Sequence, residues 1–149
     1  MKGLRVIITV AILGVAGYFG WQYYMNSHGK KYDYNKHQNI YYKGEGLDEA
    51  TAKRLADYLA KIGYFGTDKD LSVQITKEKD SKDTINLNFV VDESRLTPKI
   101  EDGFREISGY ISKNVFNSGP VNTNFMSSDF KMIKKTGYAP PLSDDAPAN

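Results

Sequence analysis

A chain of 149 residues with 20 Lys and Arg against 18 Asp and Glu offers a polyanion almost no net charge, and without cysteine it has no disulfide, thiolate metal site, thiol nucleophile or acylated lipoprotein cysteine. The positive excess comes from the N-terminal segment, partly offset by Asp144 and Asp145 in the tail, because from Ile40 to Thr136 fifteen basic side chains balance fifteen acidic ones. Nucleic-acid binding thereby loses its main support.

The first element is the run Val6 to Met25, twenty uncharged and mostly apolar residues. At about 1.5 Å per residue it spans roughly 30 Å, the thickness of a hydrocarbon core. Lys2 and Arg5 precede it, and its far end carries Tyr18, Phe19, Trp21, Tyr23 and Tyr24, rings suited to the headgroup layer. Residues 1–25 therefore read as a signal-anchor transmembrane helix that enters the lipid bilayer through residues 6–25. A short basic head before an apolar run is the usual layout for a cytoplasmic N-terminus. This places the protein in the cytoplasmic (inner) membrane as a single-pass protein with an extracytoplasmic C-terminal domain, although Lys30, Lys31 and Lys36 bring the positive-inside count close to a tie. A second reading is a cleaved signal peptide, with Val6 to Leu13 as its apolar region and Gly14-Val15-Ala16 as its cleavage site. The apolar character that runs past Ala16 into the aromatic cluster favours retention. Ala16 and Gly20 have small-xxx-small spacing, which suits helix pairing, but glycine is common in membrane helices anyway.

Residues 26–39 are polar, lack apolar periodicity and read as a juxtamembrane linker. His28, Asp33 and His37 match no zinc or iron spacing, so no metal is expected. A small α/β domain is predicted over residues 40–136. Ile40 to Lys43 is a strand that stops at Gly44-Glu45-Gly46. A helix follows, with Asp48 as N-cap, apolar residues at Ala52, Leu55, Ala56, Leu59 and Ile62, and Gly63 just past its end. Leu71, Val73 and Ile75, then Ile85, Leu87, Phe89 and Val91, alternate with polar residues as two strands, and their short link makes an antiparallel hairpin. Thr97-Pro98 opens a second helix whose stripe is Ile100, Phe104, Ile107, Ile111 and Val115. Val121, Thr123 and Phe125 form another strand, and Phe130, Met132 and Ile133 suggest an extra C-terminal one.

This order is βαββαβ, which reads as an α+β, ferredoxin-like two-layer sandwich. The other sheet face, with Ser72, Gln74, Asn86 and Asn88, meets water or binds something polar. Residues 137–149 read as a disordered tail.

No Ser-His-Asp or Cys-His set can be assembled, and Gly44-Glu45-Gly46 lacks the lysine and further glycines of a phosphate loop. Asp92-Glu93 and Glu101-Asp102 read as structural, the second pair favouring the positive end of a helix. The chain is thus expected to be no enzyme and to need no cofactor. Tyrosine offers area and a hydroxyl together, so Tyr42 and Tyr64 join Gln74, Asn86 and Asn88 as the candidate interaction surface.

The stretches Leu47 to Ala52, Gly63-Tyr64-Phe65, Ser72 to Lys77, Phe89-Val90-Val91, Val115-Phe116-Asn117 with Pro120-Val121, and Asp129-Phe130-Lys131 resemble an uncharacterised family of small bacterial α/β domains. Such domains often follow a transmembrane helix, and the resemblance implies no catalytic residues. The element order is also similar to the SPOR peptidoglycan-binding domain, in topology only. Two functions are therefore expected in order: an extracytoplasmic domain that binds another envelope protein or assembles a membrane complex, and, as the alternative, a module for peptidoglycan or another cell-wall glycan.

Overall fold

In the computed structural model, which describes Tyr18 and residues 20–141, six strands form a single sheet whose spatial order is the order of the chain. Residues 20–28 are helical. The elements that follow are β1 (Lys30–Asp33), β2 (Gln38–Lys43), α1 (Glu49–Lys61), β3 (Leu71–Lys77), β4 (Ile85–Val90), a 3-10 turn (Glu93–Arg95), α2 (Pro98–Val115), β5 (Val121–Met126) and β6 (Met132–Ala139).

The α+β class and the predicted central elements are present, but the ferredoxin-like arrangement is not. That fold interleaves its strands, whereas here β2 lies parallel beside β3 and β4 parallel beside β5, with the antiparallel β3/β4 hairpin joining the two βαβ units. Helical stripes and strand alternation are the same in both topologies and cannot choose between them. The amides can. Only the sequential order sets Gln74 beside Asn88 and Asn88 beside Asn124, whereas the interleaved order would insert the Tyr41 strand between the two asparagines.

Two boundaries also move. Residues 30–33, within the predicted linker, pair antiparallel with β2 as an edge strand, and β2 itself begins at Gln38. Gly29 makes this possible: its φ of +83° and its close approach to the Tyr42 carbonyl exclude a side chain. At the other end β6 continues through Gly137 to Ala139, which is buried, so residues 137–139 belong to the sheet. Residues 142–149 of the predicted tail lie outside the described residues. So does most of the predicted membrane span, residues 1–17 and Phe19. Among the described residues no helix is long and apolar enough to cross a membrane.

One sheet face carries the core. Ile40, Val73, Phe89 and Phe125 stand side by side across β2 to β5, and Leu55, Leu59 and Ile111 of the helices close over this face, all fully buried. Each such aliphatic side chain contributes about 1.5–3 kcal/mol. Both helices start where their caps predict. The Asp48 carboxylate accepts from the Thr51 N–H at 2.8 Å, and the Thr97 hydroxyl accepts from the Ile100 N–H at 3.4 Å with Pro98 in the first turn. Helix α1 is closed off just past its end by Gly63, with φ of +81°, after which the Tyr64 and Phe65 N–H groups both donate to the Leu59 carbonyl. Both sheet edges are guarded: β1 is short and carries Lys30 and Lys31, and β6 carries Lys134 and Lys135 across two register shifts.

Candidate functional site

The polar sheet face is not an open surface. The Asn124 side-chain amide donates to the Asn88 carbonyl oxygen at 3.0 Å, Asn88 donates to Gln74 at 3.1 Å, and Gln74 donates to the backbone carbonyls of Ser27 at 2.9 Å and His28 at 3.1 Å. This directed chain of amides ends on the C-terminal carbonyls of the helical segment, groups that no helix satisfies by itself. Asn86 belongs to a neighbouring row, accepting from Asn122 at 3.0 Å. Gln74 and Asn88 are therefore buried and spent on one another, and Asn86 is half-buried. An unsatisfied amide here would cost about 1–3 kcal/mol, which makes the ladder a structural device.

The residues that cover this face come from the end of the helical segment, which runs into the supposed linker, and from the β5–β6 turn. His28 stacks on Tyr24 with ring centroids 4.3 Å apart and meets Phe130 at 4.4 Å, and Phe130 meets Tyr41 edge-on at 4.7 Å. Phe130 reaches over the sheet from the β5–β6 turn with φ of +60°, a conformation that is costly for an aromatic residue. Asp129 helps hold that turn. Hydrogen bonds from Ser127 and Lys131 draw its carboxyl down to about 2. Burial and a hydrogen bond to Tyr24 push the Tyr41 hydroxyl above its ordinary range. The Lys43 ammonium donates to the Asn26 carbonyl. His37, the other predicted linker histidine, meets Asp70 at 2.7 Å.

Of the five predicted surface residues, Tyr42 is buried in the core beside α1, on the face opposite the amides. Its adjacency to Tyr41 sends one ring to each side of β2, and Tyr42 takes the inner one. Tyr64 alone lies at an opening. It is half-buried, packs against Phe65, Phe89 and Phe104, and lines two adjoining hollows. Desolvation raises its hydroxyl pKa well above the usual tyrosine range.

The larger hollow, about 690 Å³, opens at the end of the sheet where β4 and β5 finish. Leu71, Val91, Leu96, Phe104 and Ile133 form its apolar wall together with Tyr64, and its rim carries Lys69, Asp70, Asp92, Glu93 and Arg95. Asp92 caps the 3-10 turn through Ser94, which lowers its carboxyl pKa, and lies 3.6 Å from Arg95. The smaller hollow, about 400 Å³, lies between the end of α1 and α2 and is lined by Ile62, Tyr64, Gly103, Ile107 and Tyr110 among others. Ile62 beside the smaller hollow and Ile100 beside the larger are 39% and 42% exposed, and the two hollows, which share Tyr64, make up one groove around it.

Gly103 is the residue that sequence patterning overlooked. It lies inside α2, where glycine costs about 0.5–1 kcal/mol relative to alanine. Its φ is not left-handed, and a Cβ added there would meet nothing within 4 Å. Nothing within the described chain requires a glycine at this position. An isolated glycine in a helical pattern is the signal that could have found it.

The groove offers apolar area, a notch and a mixed-charge rim. Among the described residues no group of three His, Asp or Glu side chains converges on a metal position. The acid pairs are separately engaged: Asp92 caps a turn, and Glu101 pairs with Lys134 at 2.7 Å.

Among curated proteins and solved structures nothing matches the chain. A family model described as the AF_1994_N family N-terminal domain matches residues 31–136.

Proposed function

The chain belongs to the AF_1994_N family, and we propose that it is a single-pass membrane protein whose extracytoplasmic domain is a non-catalytic binding module, receiving an apolar segment of another envelope protein in the groove around Tyr64. The anchor rests on the apolar run Val6 to Met25 with its aromatic border. The observation that carries the binding reading is Gly103. A glycine that weakens its own helix without any internal need fits a surface that another chain approaches closely, and it sits between exposed Ile100 and half-buried Ile107. Clusters of aromatic and aliphatic side chains in concave surfaces with polar rims are the usual anchors of protein recognition. The glycan alternative has less support, because the sheet-face amides that would read a sugar are already paired.

The test is photo-crosslinking in native membranes, with a photoreactive residue in place of Ile107 in the full chain. The expected result is one discrete protein adduct, weakened by Gly103→Ala and lost when Gly103→Trp fills the notch. No adduct at this position, or one indifferent to Gly103→Trp, would remove the groove as a docking site.

A further inference from the structure

The helical segment at 20–28 is joined to β1 through Gly29 alone, and its end docks on the amide face of the sheet. The apolar run ends at Met25, while the carbonyls that accept from Gln74 belong to Ser27 and His28. Two to three residues of helix rise only about 3–5 Å. A bilayer's headgroup region adds roughly 5–7 Å on each side of the hydrocarbon. Resting on the anchor reading above, we propose that the polar face of the sheet, with the helix end and Phe130 docked over its centre, is turned toward the bilayer so that its uncovered margins lie in the headgroup layer and α1, α2 and the Gly103 notch point away from the membrane.

The chemistry of that face fits such a neighbour. Trp21, at 64% exposure, and Tyr23, at 77%, project from the helical segment just before the docking point, with no domain packing over most of their rings. Beyond them the face carries both signs of charge, Lys31 with Asp33 at 2.7 Å and Lys131 with Asp129 at 2.9 Å, together with Lys43 and Lys135. The paired charges complement zwitterionic phospholipid headgroups, whose phosphate and ammonium lie at nearly the same depth, and the surplus of lysine favours the phosphates. Tyr138, 51% exposed and opposite Asn122 on the same face, adds an amphipathic ring at the far strand. The docking also resists tilting. The amide ladder, the Lys43 bond to Asn26 and the His28–Phe130 contact hold the last helical turn from several strands at once.

The absence of cysteine and the single tryptophan make the test direct. The full chain is placed in phosphatidylcholine nanodiscs, and single-cysteine variants Lys131→Cys, Tyr138→Cys and Glu106→Cys are labelled with a small fluorophore. Lipids carrying a headgroup nitroxide are the quencher, and brominated lipids report the depth of Trp21 independently. The expected result is strong quenching of the labels at positions 131 and 138, at least about twofold above that at position 106 on the outer side of α2. Quenched Trp21 with all three labels equally unquenched would overturn the lipid-facing assignment and leave the anchor reading intact. Trp21 beyond the reach of brominated lipid would overturn the anchor reading and the surface with it.

Discussion

The side-chain amide of Gln74 donates to the main-chain carbonyl of Ser27 at 2.9 Å, joining the centre of the sheet to the helical segment that precedes it. Removing this link strands two partners at once, the Asn88 amide that donates to Gln74 and the carbonyls at the helix end. Gln74→Leu is expected to cost about 1–3 kcal/mol. Because the loss falls on the docking contact, hydrogen exchange should rise over residues 20–28 well before the α1 amides respond. Uniform acceleration across the domain would show instead that Gln74 serves only the core.

Gly103→Ala should stabilise the chain. The helix gains about 0.5–1 kcal/mol of propensity and the new methyl meets open space. Thermal denaturation should show Tm rising by a few degrees, and a drop would mean that the position has an internal role.

Tyr42→Ala is expected to destabilise by about 3–5 kcal/mol, as truncation of a large buried ring does. The loss should appear in chemical denaturation whether or not a partner is present, since Tyr42 lies in the core. A variant of near-native stability would contradict that placement.

Acid should loosen the β5–β6 turn as pH approaches the depressed Asp129 value. The Asp129 carboxyl is drawn down to about 2, below its value of about 3.9 in an unfolded chain. A carboxyl depressed by folding stabilises the native state fully above the unfolded value and loses that contribution as pH falls toward the folded one. Asp48 and Asp92 are lowered in the same direction by their hydrogen bonds to Thr51 and Ser94. Tm should therefore be flat above about pH 5 and fall between about pH 4 and 2, with a shallower fall in Asp129→Asn. An identical acid limb in the variant would mean that Asp129 is not among the groups responsible.

Much of the fold was legible because local chemistry decides it. Asp48, Gly63, Thr97 and Pro98 mark helix ends, and alternation around Val73, Leu87 and Phe125 marks strands with one inner face. Strand neighbours were not legible, since a helix stripe packs equally well over either topology. The pairing of Gln74 with Asn88 and Asn124 is a long-range fact hidden in residues that read as solvent-facing. Composition misread Lys30–Asp33 for a similar reason: a short edge strand with Lys30 and Lys31 resembles a linker. Of the predicted surface only Tyr64 reached an opening. Gln74 and Asn88 went to the ladder, and Tyr42 was placed by strand parity, which sequence alone could not assign to a side.

The most direct measurement on the full chain is a reporter active only outside the cytoplasm, fused after Asn149, with the mass and membrane fractionation of the fusion followed in the same cells. The account predicts an active, full-length fusion that stays in the membrane fraction. An inactive fusion would put the domain and its groove on the cytoplasmic side, and an active but shortened, soluble one would mean that Val6 to Met25 does not hold the domain at the bilayer; either result would contradict it.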